Sequence, residues 1–236
     1  TCMKVTLSGH IVSDGLEDGR VVSGVGGQYN FVAMAHELPD GRSLINLRST
    51  REKGHRVYSN IVWNYGHTTI PRHLRDIVVT EYGIADLRGK TDSEIIEELL
   101  KITDSRFQMK LMQQAKKAGK LRSDYQIPEK FRNNYPQVIT QKIATFRRKG
   151  FFPPFPFGTD FTEQEQVVGK ALKSLKRKSH SKWLMFSMLV RALFTLTIPE
   201  AQKPYLERMD LWQARGLEEK IFRNLLVNEL KNVVKN

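Results

Sequence analysis

The chain has 236 residues, of which 40% are hydrophobic and 27% charged, and a formal net charge of +13. That length and composition support one large domain, or one domain with a smaller companion, and exclude a chain too polar to bury a core. A single cysteine, Cys2, excludes an internal disulfide, which fits a reducing compartment and an expected cytoplasmic location.

The opening residues read as a strand rather than a targeting segment, and the first residue is Thr1. The expectation is therefore a piece of a longer polypeptide. Apolar runs at 3–7, 43–47, 59–63 and 76–80 are strand candidates. Glycine-rich turns separate them, at Gly24, Gly26 and Gly27, at Pro39-Asp40-Gly41, and at Gly66. Thr91 with Glu94 three residues on forms a capping box, and Ile95, Ile96, Leu99 and Leu100 follow at helical spacing. A second helix is expected over 105–118, stopped by Gly119.

Beyond Tyr125 helical patterns dominate and no strand is evident. Residues 151–158 (FFPPFPFG) form a connector whose three prolines oppose a helix. Its rings are expected to be covered by packing of the tail on the first lobe. Thr162 with Glu165 makes another capping box, followed by an apolar stripe of Val167, Val168, Ala171, Leu172 and Leu175. The apolar run 183–198 contains Arg191 and is shorter than the roughly 20 residues a spanning helix needs. It reads as a buried helix, and no membrane partner is expected. A last helix is expected over 217–234. The organisation expected is an α/β lobe over 1–125 and a helical extension over 126–236 packed on that lobe.

The charge is uneven. Residues 1–100 hold 11 Lys+Arg against 13 Asp+Glu, or −2, and residues 101–236 hold 27 against 12, or +15. A basic half suits nucleic acid, acidic lipid, a phosphorylated ligand or an acidic partner domain. The cluster Lys173, Lys176, Arg177 and Lys178 lies on a helical pattern with no helix-turn-helix or RNA-binding aromatic motif, so a solvated face is favoured and nucleic acid is not the expected partner. A basic helical module that binds nucleic acid stays as an alternative.

Two segments suit chemistry. In 23–28 (SGVGGQ), the glycines let a ligand approach the backbone, and consecutive backbone N–H groups in such a loop can hold a phosphate or a developing oxyanion. The same residues also make an ordinary tight turn, and they carry neither dinucleotide-binding nor P-loop spacing. In 77–83 (IVVTEYG) a strand-like run ends in Glu81. Ligands gather at the carboxyl ends of strands in open α/β sheets, so Glu81 is a candidate site carboxylate. Its other reading is an exposed turn glutamate, or one salt-bridged to its basic neighbours Arg72, Arg75 or Arg88. The histidines lack metal-ligand spacing, so His67 and His73 read as surface or satisfied core residues and no metal is expected.

Together these segments resemble the acetyl-CoA hydrolase/transferase family, in its carboxy-terminal domain. The stretch 23–31 (SGVGGQYNF) resembles the family's Gly-Gly-Gln-x-Asp-Phe loop, and Arg48-Ser49-Thr50 its Pro-Ser-Thr segment. Ser59-Asn60-Ile61-Val62 resembles Ser-Arg-Ile-Val, Pro71-Arg72-His73 matches Pro-Arg-His, and 78–89 (VVTEYGIADLRG) is nearly the family signature. The resemblance covers about residues 1–120. It implies an open-sheet, CoA-transferase-like α/β lobe. It also implies exchange of CoA between an acyl-CoA and a carboxylic acid, or thioester hydrolysis, through a glutamyl intermediate.

CoA is then a substrate, no further cofactor is implied, and the parent enzyme is expected to be a homo-oligomer. The nucleophilic glutamate of the family lies upstream of the glycine loop, with an amino-terminal lobe. Neither has a counterpart here, so this chain alone is expected to be inactive. By the same resemblance Gly27 supplies an oxyanion-hole N–H, Gly26, Gly27 and Gln28 meet the thioester, and Glu81 supports the nucleophile. An alternative makes Glu81 itself the nucleophile. Asn30, Ala33 and Asn60 replace an Asp and two Arg of the family pattern. Exchange of an ion-pair network as a set would remove these groups together.

Overall fold

The computed structural model describes residues 1–195 and 197–233. These residues form two compact units, Thr1–Phe152 and a second that begins at Pro153. The first is a mixed α/β unit. Its strands are short and fall into three small sheets rather than one continuous sheet. β1 (Lys4–Thr6) lies between β2 (Ile11–Val12), antiparallel, and β6 (Ile61–Val62), parallel. β7 (Ile77–Thr80) lies between β3 (Leu44–Asn46), parallel, and β8 (Gly83–Asp86), antiparallel. β4 (Thr50–Lys53) and β5 (Arg56–Ser59) make a separate hairpin.

The helices of this unit are α1 (Gln28–Glu37), α2 (Asp92–Lys101), α3 (Ser105–Lys117) and α4 (Pro136–Arg148). The Thr91 capping box forms as expected, with Thr91 N–H donating to Glu94 at 2.8 Å. α3 ends before Gly119, whose φ of 66° is the left-handed conformation that stops a helix. The core joins Val5 and Ile61 of the first sheet, with Leu7 just after β1, to Ile45, Val78 and Ala85 of the second, and to Ile95, Leu99 and Leu100 of α2. Each of these larger side chains contributes roughly 1.5–3 kcal/mol by leaving water. Tyr125 and Ile127 are buried in the same cluster, so the chain after 125 still belongs to the first unit's core.

Asp76 pins the second sheet. Its buried carboxylate accepts from Ser43 N–H at 2.7 Å, from Arg42 Nε at 2.8 Å and from Arg88 Nη2 at 2.8 Å. Three charge-assisted bonds compensate a carboxylate that would otherwise be costly to bury.

In the second unit every named element is helical: α5 (Glu163–Ser179), α6 (Lys182–Leu193), α7 (Lys203–Arg208) and α8 (Leu217–Val233). Residue 234, the expected end of the last helix, lies outside the described residues. The Thr162 capping box opens α5. Ala171, Leu175, Leu206, Leu226, Val227 and Leu230 form a small core, with Val167 and Leu172 packed at its edge. Lys178 pairs with the buried Glu229, and Asn224 Nδ2 donates to Ala192 O at 2.8 Å, tying α8 to both α5 and the end of α6.

Two expectations about apolar segments fail. The run 183–198 is not a buried helix: in α6 only Ala192 is buried, and Trp183 is 78% exposed. The helix is apolar around most of its circumference, and only one side, with Met188 packed on the core and Ala192 buried, turns inward. Residue 196 of that run lies outside the described residues. The connector is non-helical as expected, but its rings are not covered, and Phe157 is fully exposed. With no regular periodicity imposed by helix or strand, the segment has no single face to turn inward.

Candidate functional site

The glycine loop is built on Asp14. Its backbone carbonyl accepts from Val22 N–H at 2.7 Å, and its carboxylate accepts from Thr69 Oγ1 and meets His67 Nε2 at 3.0 Å. The Thr69 and His67 hydrogen bonds hold the Asp14 carboxyl below its ordinary value despite burial. Gly15 is required here, because a Cβ would stand 2.5 Å from the His67 ring. His67 is thus a satisfied residue of the scaffold. The loop then turns at Gly26, with φ at 60°, and Gly27 becomes the N-cap of α1. No side chain caps this end, which leaves the first N–H groups of the helix available to an acceptor. Gln28 donates through Nε2 to Thr1 O at 3.0 Å. Gly24, Val25 and Gln28 line a hollow of about 620 Å³ with Thr1, Ser23 and Phe31.

Glu81 stands elsewhere on the unit. Thr80 pairs with Gly83 across β7 and β8, so Glu81 and Tyr82 form the two-residue tip of that hairpin. Glu81 is exposed, and its Oε2 accepts from the N–H of the fully buried Ser49 at 2.8 Å. Ser49 Oγ accepts in turn from Asp104 N–H at 2.8 Å. The Asp104 carboxylate accepts from Tyr82 OH at 2.8 Å and from two nitrogens of Arg106 at 2.8 Å. The hairpin tip is therefore tied to the start of α3 on both sides of Glu81. Burial pushes the Asp104 carboxyl up, and the Arg106 and Tyr82 hydrogen bonds together outweigh it, so it titrates below its ordinary value. Burial, then Asp104, pushes the Tyr82 phenol up.

Of the two forms of the turn-glutamate alternative, the structure shows the exposed one and not the pairing with neighbouring arginines. Arg72 and Arg75 pair with Asp92, and Arg88 pairs with Asp76. These partners hold the arginines away from the hairpin tip, and among the described residues no cation pairs with Glu81.

Glu81 lines a second hollow, of about 840 Å³, with Cys2, Lys4, Arg48, Arg51, Asn60 and Tyr65 among its neighbours. Lys4 is only 8% exposed, and its Nζ reaches Ser59 O at 3.4 Å and lies 5.5 Å from the Tyr65 ring centroid. Burial, then the Arg51 charge, lowers its pKa. Burial pushes the Cys2 thiol up to about 12, so it is no thiolate nucleophile. Asn60 donates through Nδ2 to Arg48 O at 2.8 Å, which leaves its buried Oδ1 without a partner. The hollow combines two exposed carboxylates, Glu52 and Glu81, with three cations, Lys4, Arg48 and Arg51, so cations outnumber carboxylates by one, a balance that suits an anionic ligand.

The structure therefore places the glycine loop and Glu81 on two hollows rather than one, with Thr1 lining the first and Cys2 the second. Sequence reasoning missed Lys4, Arg51 and Asp104, and it singled out Ser49 only within the Arg48-Ser49-Thr50 segment, not as the donor to Glu81. Lys4 carried a signal, since a lysine inside a buried strand needs a reason. Asp104 carried little, because its link to Ser49 spans 55 positions.

Residues 1–115 match the model of the acetyl-CoA hydrolase/transferase C-terminal domain. A probable butyrate:acetyl-CoA coenzyme A-transferase of Syntrophomonas wolfei is 39% identical over 119 residues, 49% of this chain and 26% of that protein. A 4-hydroxybutyrate coenzyme A transferase of Clostridium kluyveri is 35% identical over 118 residues, 50% of this chain and 27% of that protein. The crystal structure of RipA from Yersinia pestis is 29% identical, with a TM-score of 0.42 over 50% of this chain and 25% of that one. Residues 1–115, just under half of the chain, are thus similar to the carboxy-terminal domain of the acetyl-CoA hydrolase/transferase family. The matched segment spans about a quarter of the length of these curated relatives.

Proposed function

We propose that this chain supplies the carboxy-terminal part of an acyl-CoA hydrolase or CoA-transferase, with a lobe of the open-sheet, CoA-transferase type followed by a helical extension. The substrates are an acyl-CoA and a carboxylic acid, and CoA enters as substrate rather than as a resident cofactor. A glutamate carried outside residues 1–236 attacks the thioester carbonyl. The C–S bond breaks, CoA leaves as thiolate, and an acyl-glutamyl anhydride forms. In transfer, the thiolate attacks the glutamyl carbonyl, gives a glutamyl-CoA thioester and releases the first acid as carboxylate. In hydrolysis, water attacks instead.

One observation carries this reading. Glu81 is held by a buried N–H at 2.8 Å, is unpaired with any cation among the described residues, and lines a hollow with Lys4, Arg48 and Arg51. The N–H contact orients the carboxylate, and the cations suit the anionic ends of CoA or of an acid. Gly26, Gly27 and Gln28 take the oxyanion role, with the Gly27 N–H as donor at the open end of α1. Such a donor is worth on the order of 10²–10³ in rate, and only when a nucleophile is in place. Because the loop and Glu81 line different hollows, the substrate must run past Thr1 and Cys2 to meet both.

The test is direct. The 236-residue chain alone is expected not to turn over acetyl-CoA. In a longer polypeptide that carries the upstream glutamate, Glu81→Gln is expected to slow turnover while a borohydride-reducible glutamyl-CoA adduct still forms. The exposure of Glu81 also favours a second reading, in which it is the nucleophile. Turnover by the isolated chain that Glu81→Gln abolishes, or an adduct on residue 81, would establish that reading and overturn the supporting role.

A further inference from the structure

The second unit carries an apolar face that its own core does not use. On α6 one side bears Met188, which packs on the small core, and the fully buried Ala192. The opposite side presents Trp183, Phe186, Leu189, Leu193 and Phe194 to solvent, with Trp183 78% and Phe194 79% exposed. At 100° per residue these five fall within one arc, with Lys182 inside it. A helix of a water-exposed protein normally places charged and polar residues on that side. No described helix is long and apolar enough to cross a membrane.

The flank of this face is basic without interruption. Residues 166–199 hold seven Lys+Arg and no Asp or Glu. Lys178 is paired with Glu229, whereas Lys173, Lys176 and Arg177 are exposed on the last turns of α5, which lead directly into α6. Large apolar side chains beside an acid-free cluster of cations complement one surface in both respects, an anionic bilayer. The rings and aliphatic chains enter the headgroup and acyl boundary while the cations meet lipid phosphates and carboxylates.

We propose that the outer face of α6, flanked by the basic end of α5, docks this chain on an anionic lipid surface. This departs from the sequence expectation of no membrane partner and is independent of the acyl-CoA reading. A second copy is disfavoured as occupant, because an isologous contact would set Lys182 and its basic flank against the same charges. Nucleic acid is disfavoured because the face mixes aliphatic Leu189 and Leu193 with its rings and offers no continuous stacking platform.

The experiment is co-sedimentation of the 236-residue chain with vesicles of phosphatidylcholine alone and of phosphatidylcholine with phosphatidylserine. Binding is expected to the anionic vesicles and to weaken with added salt. Trp183→Ser with Phe186→Ser, and separately Lys173→Gln with Lys176→Gln and Arg177→Gln, should each weaken it about tenfold or more. All five side chains are exposed, so the circular dichroism of both variants should match the parent. As a second measurement, brominated lipid should quench tryptophan fluorescence in the parent. Trp183→Phe should still bind while losing most of that quenching. Absence of binding to anionic vesicles, or unchanged binding by the Trp183→Ser, Phe186→Ser variant, overturns the proposal. So does a dimer that this variant dissolves, or RNA binding lost in it with no lipid binding in the parent.

Discussion

The two units use their polar and apolar residues in opposite ways. In the first, buried polar groups are plentiful and three carboxylates among them fix loops: Asp76 holds the start of β3, Asp14 holds the glycine loop, and Asp104 holds the tip of the β7–β8 hairpin. Its large apolar side chains are mostly inside, as Leu7, Ile61, Ile95 and Leu99 are. In the second, the buried core is small, and Trp183, Phe186, Phe194 and Phe157 face solvent. Buried polar groups that satisfy one another define a single arrangement of loops, which is what a site needs. Apolar groups left on the surface define an arrangement only once something else covers them.

The sharpest test of this contrast is deletion of apolar bulk. Leu99→Ala removes a fully buried side chain of the first core and is expected to cost about 2–5 kcal/mol. Phe157→Ala removes a larger side chain that is fully exposed and is expected to stay within about 0.5 kcal/mol of the parent. Urea unfolding reads both. Equal losses would mean that Phe157 is covered in solution.

Next in size is Asp104→Ala. The change removes the acceptor of Tyr82 and Arg106 and the side chain that caps α3 through Arg106 N–H at 3.0 Å. A lost cap and an orphaned buried donor together are worth about 3 kcal/mol. The same change should loosen residues 80–83, read as faster amide exchange at Ser49, whose N–H donates to Glu81. Protection unchanged at Ser49 would show that the hairpin tip is held without Asp104.

What could be read from the sequence follows the range of the interactions. The capping boxes at Thr91 and Thr162, the stop at Gly119 and the strands within 3–7 and 76–80 are set by neighbours a few positions apart, and all form. The β4–β5 hairpin was missed because Thr50–Lys53 is a polar edge segment without an inward face. α1 was missed because it has no capping side chain at its start. Glu81 was legible from the motif around it, but its support was not, since Ser49 and Asp104 lie 32 and 55 positions from their partners. The exposure of α6 was illegible for a further reason. Its composition matches that of a core helix, and only the packing of α8 against one side reveals which face is left over.

A smaller effect separates the units by pH. The Thr69 and His67 hydrogen bonds lower the folded pKa of Asp14 from an ordinary 3.8. A depressed carboxylate pKa contributes stability that is complete above the unfolded value and is lost as pH falls through the folded one. The window therefore opens near pH 3.8 and extends downward. Asp14→Asn should lower the first unit's stability at neutral pH and flatten its acid dependence within that window. Thermal unfolding of parent and variant across the window reads the difference. Parallel pH curves would show that the carboxylate contributes no more folded than unfolded.

The smallest contrast compares one motif in two settings. Glu94 and Glu165 each close a capping box, and each accepts from the backbone N–H of its threonine at 2.8 Å. Glu165 does more, because its Oε1 also accepts from Arg208 Nη2 at 2.7 Å and Nε at 3.0 Å, joining α5 to α7. Arg208 is well exposed, so that ion pair adds little, and added salt weakens it. Glu94→Ala should therefore cost only the box. Glu165→Ala should cost the box and the bridge, and its excess over Glu94→Ala should shrink as salt is raised. The Arg208→Ala background isolates the bridge, since Glu165→Ala made there should fall to the cost of Glu94→Ala. If the excess persists in that background, the link between α5 and α7 rests on packing around Leu206 rather than on the ion pair.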